Sequence, residues 1–135
     1  MKKHHIWLVA ALLWCIIIFV ITELPASTGS ETKGILAFLF GLEGDALQTA
    51  NYVMRKSVHL GSYGLMAFLF FMGLRRKRFL LAWLFTTIYA CIDEWHQVYV
   101  PNRTGALGDV MIDSIGAFTV LTVIYLIIRT KAWIK

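Results

Sequence analysis

The sequence predicts an all-α, polytopic membrane protein with four transmembrane helices and both termini in the cytoplasm. Three observations lead there. Of 135 residues, 59% are hydrophobic and only 16% charged, too little polar surface for a soluble domain of this size. The apolar residues gather into four runs of about the length needed to cross a hydrocarbon core roughly 30 Å thick. The charges between those runs separate by sign.

The first run extends from Ile6 to about Thr22, behind Lys2 and Lys3. A basic start, an apolar centre and then Pro25-Ala26-Ser27 also describe a signal peptide. The apolar stretch is long for a signal and no A-x-A site follows, so a retained span is the expectation. The segment from Glu23 to Lys56 is the one long connection. Its run Gly34 to Leu42 is too short to cross and reads as an outer interfacial or re-entrant segment. Gly44-Asp45 offers a helix start with Asp45 as N-cap. From Ala46 the helical pattern continues into the second span, about Ser57 to Leu74.

The third span runs from Phe79 to about Tyr99, and the fourth from about Asp109 to Ile128. Between them, Pro101-Asn102 and Thr104-Gly105 are turn formers. Both prolines lie outside the spans. Trp7, Trp14, Trp83, Trp95 and Trp133 read as interfacial anchors. Cys15 and Cys91 fall inside spans, where apolar packing, not a disulfide, is expected. The whole chain, residues 1–135, reads as a single domain.

Orientation follows from the basic residues. Lys2, Lys3, the run Arg75-Arg76-Lys77-Arg78, Arg129, Lys131 and Lys135 supply nine of the thirteen. Placing them in the cytoplasm satisfies the positive-inside rule. All eight acidic residues then lie toward the outside. An anionic-lipid clamp is the alternative reading of the basic run. Because topology explains the positive charge, nucleic-acid binding is excluded.

Polar residues collect at one depth. His59, Glu94 and Asp113 each lie 15 residues from the inner end of their span, which is about 22 Å of helix. Lys56, His59 and Tyr63 share one helical face, as do Asp93 and Gln97, and Asp109 and Asp113. Arg55 and Arg103 lie nearby. Gly61, Gly64 and Gly116 would let helices approach closely. Each residue has a plainer reading: a packing His59, acids Asp93 and Glu94 neutralised by Arg55, Lys56 or Arg103, an interfacial Tyr63, His96 or Tyr99, a helix-capping Asp109. Together they exceed what charge neutralisation needs, and a cleft between the second, third and fourth spans, open to the outer leaflet, is the expectation.

At these residues the chain resembles the VanZ-like family. Arg55-Lys56-Ser57-Val58-His59-Leu60-Gly61-Ser62-Tyr63 resembles its K-x-x-H-x-x-x-Y signature. Asp93-Glu94-Trp95-His96-Gln97 resembles its D-E-x-x-Q. Arg103 through Asp109, Asp113 and Gly116 is similar to its R-x-x-x-x-x-D-x-x-x-N-x-x-G, with Asp113 standing where the family usually has Asn. The resemblance implies a multi-pass protein of the bacterial cell membrane and a link to resistance to the glycopeptide teicoplanin. It implies a compartment and a phenotype, not a reaction.

The expected function is binding, or binding and processing, of an anionic or lipid-linked cell-envelope amphiphile in a pocket facing the extracytoplasmic side. Arg55, Lys56 and Arg103 would take phosphate, with Tyr63, Gln97, Asp109 and Asp113 completing the binding set. For an enzyme, His59 is the base or nucleophile, oriented or protonated by Asp93 or Glu94, in a transfer or hydrolysis at a phosphate or acyl group. The alternative is a non-enzymatic module that binds glycopeptide or lipid and limits access of the drug. A transporter is disfavoured, since the inner halves of the spans carry almost no polar residues. No cofactor is expected. A divalent metal on some of His59, His96, Asp93, Glu94, Asp109 and Asp113 has the right donors, but no tight ligand spacing and three nearby cations. Oligomeric state stays open.

Overall fold

The computed structural model describes residues 3–101, 103 and 105–133, the last three as backbone only. It contains α1 (Lys3–Glu23), a 3-10 turn (Pro25–Ser27), α2 (Gly29–Phe40), α3 (Gly44–Gly73), α4 (Arg78–Gln97) and α5 (Leu107–Trp133), with no strand among the described residues. Lys2, Lys135 and the turn residues Asn102 and Thr104 lie outside the description, as do the side chains of Lys131 and Trp133.

Each of the four apolar runs becomes a helix. Two helices, Lys3–Glu23 and Leu107–Thr130, are long and apolar enough to cross a membrane. Large apolar side chains stand on the surface of both helices. Leu12, Ile16 and Val20 on α1 and Ile115, Val123 and Leu126 on α5 all stand exposed. Apolar exposure on this scale marks contact with lipid or a partner.

Two local expectations are corrected. The short run expected to begin at Gly34 begins at Gly29, because Thr28 caps it: its hydroxyl accepts the Glu31 amide at 3.5 Å. The Thr28-x-x-Glu31 spacing matches a capping box, a signal the hydropathy pattern hides. Gly41 ends α2 at φ 62°. Twelve residues rise only about 18 Å, so α2 cannot cross, and Phe38 is left 88% exposed. Likewise Glu43, not Asp45, occupies the cap of α3 and makes no side-chain cap bond; Asp45 lies in the first turn, where its charge still favours the helix dipole.

α3 is the central element. It packs most extensively on α5, then on α1 and α4, and it also packs against α2. α1 packs along α4 less than along α3, and among the described residues it does not pack along α5. Gly64 and Gly116 set the α3–α5 spacing. A Cβ on Gly64 would meet Val120 Cγ2 at 2.8 Å, and one on Gly116 would meet Leu60 Cγ at 2.9 Å and the Leu60 carbonyl oxygen at 3.0 Å. Gly61, expected to serve the same purpose, has nothing within 4 Å.

Tryptophans do more than anchor. Trp14 donates to the Ser62 carbonyl at 3.0 Å, and Trp83 donates to Ser114 Oγ at 3.0 Å. These bonds join α1 to α3 and α4 to α5, a role that the belt reading misses. Both cysteines are free, but Cys91 faces outward, not into packing. At the basic end Lys77 takes a left-handed backbone, φ 46°, which closes the tight α3–α4 turn. Arg75, Arg76, Lys77 and Arg78 are all exposed.

Candidate functional site

The polar residues converge at the end of the bundle opposite the basic turn. From α3, Lys56 forms an ion pair with Asp109 of α5. One turn along, His59 Nδ1 lies 3.4 Å from Asp113 Oδ2. A further turn along, Tyr63 donates to Asp93 Oδ2 of α4 at 2.8 Å. The i, i+3, i+7 face of α3 therefore serves two neighbours: Lys56 and His59 reach α5 and Tyr63 reaches α4.

α4 contributes a buried set. Asp93, Glu94 and Gln97 are 2%, 4% and 3% exposed. Gln97 donates to Asp93 Oδ2 at 2.9 Å and to Glu94 Oε1 at 3.4 Å. Glu94 Oε2 accepts the Ala106 amide at 2.8 Å, which ties the α4–α5 connection to the site. Thr22 of α1 donates to Asp93 Oδ1 at 3.3 Å. Buried carboxylates without such donors would be costly.

Two arginines meet on one carbonyl. Arg55 donates to the Ser27 oxygen at 2.8 Å and Arg103 donates to the same atom at 3.1 Å. Arg103 also donates to the Ser27 hydroxyl and to Gln97 Oε1 at 3.3 Å. Burial lowers the pKa of Arg103 below its ordinary value, and the nearby Arg55 charge acts the same way.

Beside these groups is a cavity of about 170 Å³. Trp14, Ile18 and Ile21 of α1 and Met54 and Val58 of α3 supply apolar wall, while Arg55, His59, Asp93 and Arg103 supply the polar part. This corrects the expected cleft between α3, α4 and α5. Those three helices close on one another through Gly64, Gly116 and the His59–Asp113 contact, and the space opens instead toward α1 and the 3-10 turn. Lys56 and Asp109, bound to each other, do not line it. Ser27, Thr22 and Trp14 do, and nothing in their local sequence separates them from ordinary loop and span residues.

The partner of His59 is a second correction. Asp93 and Glu94 were the expected orienting acids, but Asp113 makes the contact. Asp109 is in the first turn of α5, yet its carboxylate is committed to Lys56. His96 Nε2 lies 3.1 Å from Glu23 Oε1 at the end of α1, and Tyr99 is exposed. Among the described residues, one group offers donors close enough for a metal ion: His59, Glu94 and Asp113, with ligand atoms all within 4.8 Å of one another.

An all-helical chain with two membrane-compatible helices, bearing K-x-x-H-x-x-x-Y on α3 and D-E-x-x-Q on α4, belongs to a defined class of membrane-associated proteins. That class is the VanZ/LLP1 family, whose sequence profile matches residues 7–129, and the chain is a member of it. No curated protein and no solved structure matches the chain. Its link to glycopeptide resistance is through the family's name.

Proposed function

We propose that the chain is a four-span protein of the bacterial cell membrane, both termini cytoplasmic, whose cavity faces the outer leaflet and binds an anionic or lipid-linked cell-envelope amphiphile. The observation that carries this is the meeting of Arg55 and Arg103 at an apolar-walled cavity. Two guanidinium groups suit a phosphate, which takes paired N–H donors in a fork. Trp14, Ile18 and Val58 suit an acyl or prenyl chain. The exposed basic turn at Arg75–Arg78 and the acids at the opposite end support the orientation. The bare apolar end of α2, Phe38 to Phe40, supports a helix lying in the outer interface.

Binding is the core of the reading. His59 at the cavity wall, with Asp113 behind it, supplies the groups a transfer or hydrolysis would use. The test is direct. Purified protein in nanodiscs containing phosphatidylglycerol or undecaprenyl phosphate is read by native mass spectrometry. Arg55→Ala with Arg103→Ala is expected to reduce retention of the anionic lipid at least tenfold while zwitterionic lipid is unchanged. Equal retention by the double variant would overturn the reading. His59→Ala with binding kept but turnover of labelled lipid abolished would mark an enzyme; kept binding with no turnover in either protein marks a binder.

A further inference from the structure

The His59–Glu94–Asp113 group has a property that hydrogen bonding leaves unexplained. Asp113 has no exposed surface, and its Oδ1 has no hydrogen-bond partner among the described residues. Among the described residues its other oxygen meets only the His59 imidazole, at 3.4 Å. A wholly buried carboxylate with an orphaned oxygen is a costly arrangement. Glu94 beside it is also buried, and its bonds come from neutral groups, the Ala106 amide and the Gln97 amide.

The neighbouring cations are spent elsewhere. Lys56 is held by Asp109. Arg103 is bound to Ser27 and Gln97, and Arg55 to Ser27. No lysine or arginine forms an ion pair with Glu94 or Asp113 among the described residues. The objection that three cations crowd out a metal therefore fails at this spot. Two buried acids, one imidazole and an unused oxygen make a local demand for positive charge.

We infer that His59, Glu94 and Asp113 form a binding site for a divalent transition-metal ion. Three helices contribute one ligand each, which gives a facial set of one nitrogen and two oxygens. Imidazole with carboxylates suits Mn²⁺, Fe²⁺ or Zn²⁺ better than Mg²⁺ or Ca²⁺. Metal–donor bonds of about 2.0–2.2 Å require donors roughly 3–4 Å apart. The three donors already lie within 4.8 Å, so small side-chain rotations close the set. Asp113 Oδ1 is free to turn toward the ion. Three protein ligands leave coordination positions open, the arrangement of reactive metal centres as opposed to closed structural ones. The site does not depend on whether the cavity takes an amphiphile.

The test uses the full chain in detergent, stripped with chelator and titrated with Mn²⁺ or Zn²⁺ alone, by equilibrium dialysis with elemental analysis. The wild type is expected to bind about one equivalent of one of these ions. Asp113→Asn and Glu94→Gln, which keep side-chain shape, are each expected to weaken binding at least tenfold. His96→Gln, near the site but outside the set, is expected to bind as the wild type does. His59→Gln provides a third reading should either acid variant fail to elute as a monodisperse species. A wild type that takes up neither ion, or folded acid variants that bind as tightly as the wild type, would overturn the inference. Lipid retention in the nanodisc assay is unaffected by either result.

Discussion

Tyr63 on α3 gives its phenolic hydrogen to Asp93 on α4 over 2.8 Å, with both residues almost wholly buried. The bond fastens the central helix to the one that carries the buried Asp93–Glu94 pair. It also fixes which carboxylate oxygen remains for Thr22 of α1.

Tyr63→Phe removes that donor and leaves Asp93 with Gln97 and Thr22. A hydrogen bond to a charged group contributes about 1.5–3 kcal/mol in water-soluble proteins, whereas bonds between membrane helices average nearer 0.6 and reach about 1.7 kcal/mol. With α3 and α4 as spans of the proposed topology, the lower figure applies, and a loss of about 1 kcal/mol is expected. Reversible unfolding in mixed micelles measures it; no change would show that Asp93 finds another donor.

Gly116→Ala places a methyl group against the Leu60 carbonyl oxygen and side chain. Backbone cannot yield as a side-chain tip can, so α3 and α5 must part, at a cost of about 1–3 kcal/mol. Gly61→Ala meets nothing and is expected to be neutral or slightly stabilising through helix propensity. Thermal melting of the two variants in one detergent checks the contrast.

Arg103→Lys keeps the charge but loses the fork that joins Ser27 to Gln97. A lysine ammonium is a point charge and cannot reproduce that geometry. Anionic-lipid retention is expected to fall several-fold, between the wild type and Arg103→Ala. Native mass spectrometry at matched lipid content gives the order of the three.

Glu43→Cys and Arg76→Cys, each placed in a Cys15→Ala/Cys91→Ala background, test orientation. An impermeant maleimide is expected to label position 43 in intact cells and position 76 only after permeabilisation. The reverse pattern would invert the topology.

Much of this was legible in the chain. Period and apolar length place the four long helices: a run such as Phe79 to Cys91 holds no proline or glycine to break it, and it lies within α4. The shared depth of His59, Glu94 and Asp113 follows from rise per residue, and their donor atoms do converge. What the pattern could not supply is which helix faces which. Helical spacing groups Lys56 with Tyr63, yet the two serve different partners, α5 and α4. Ser27 acquires its place only because the 3-10 turn folds back under two arginines. Tertiary packing decides that, and no local signal carries it.

The uneven attachment of α1 has a consequence for access. Among the described residues this helix packs mainly along α3, less along α4 and not along α5, yet it lines one side of the cavity. Opening on that side would part α1 from α3 and break its hydrogen bonds with α4, Thr22 to Asp93 and Tyr89 to the Cys15 carbonyl, with the glycine-tightened α3–α5 pair left undisturbed. The doorway and the keystone are thus separate parts of the same small chain.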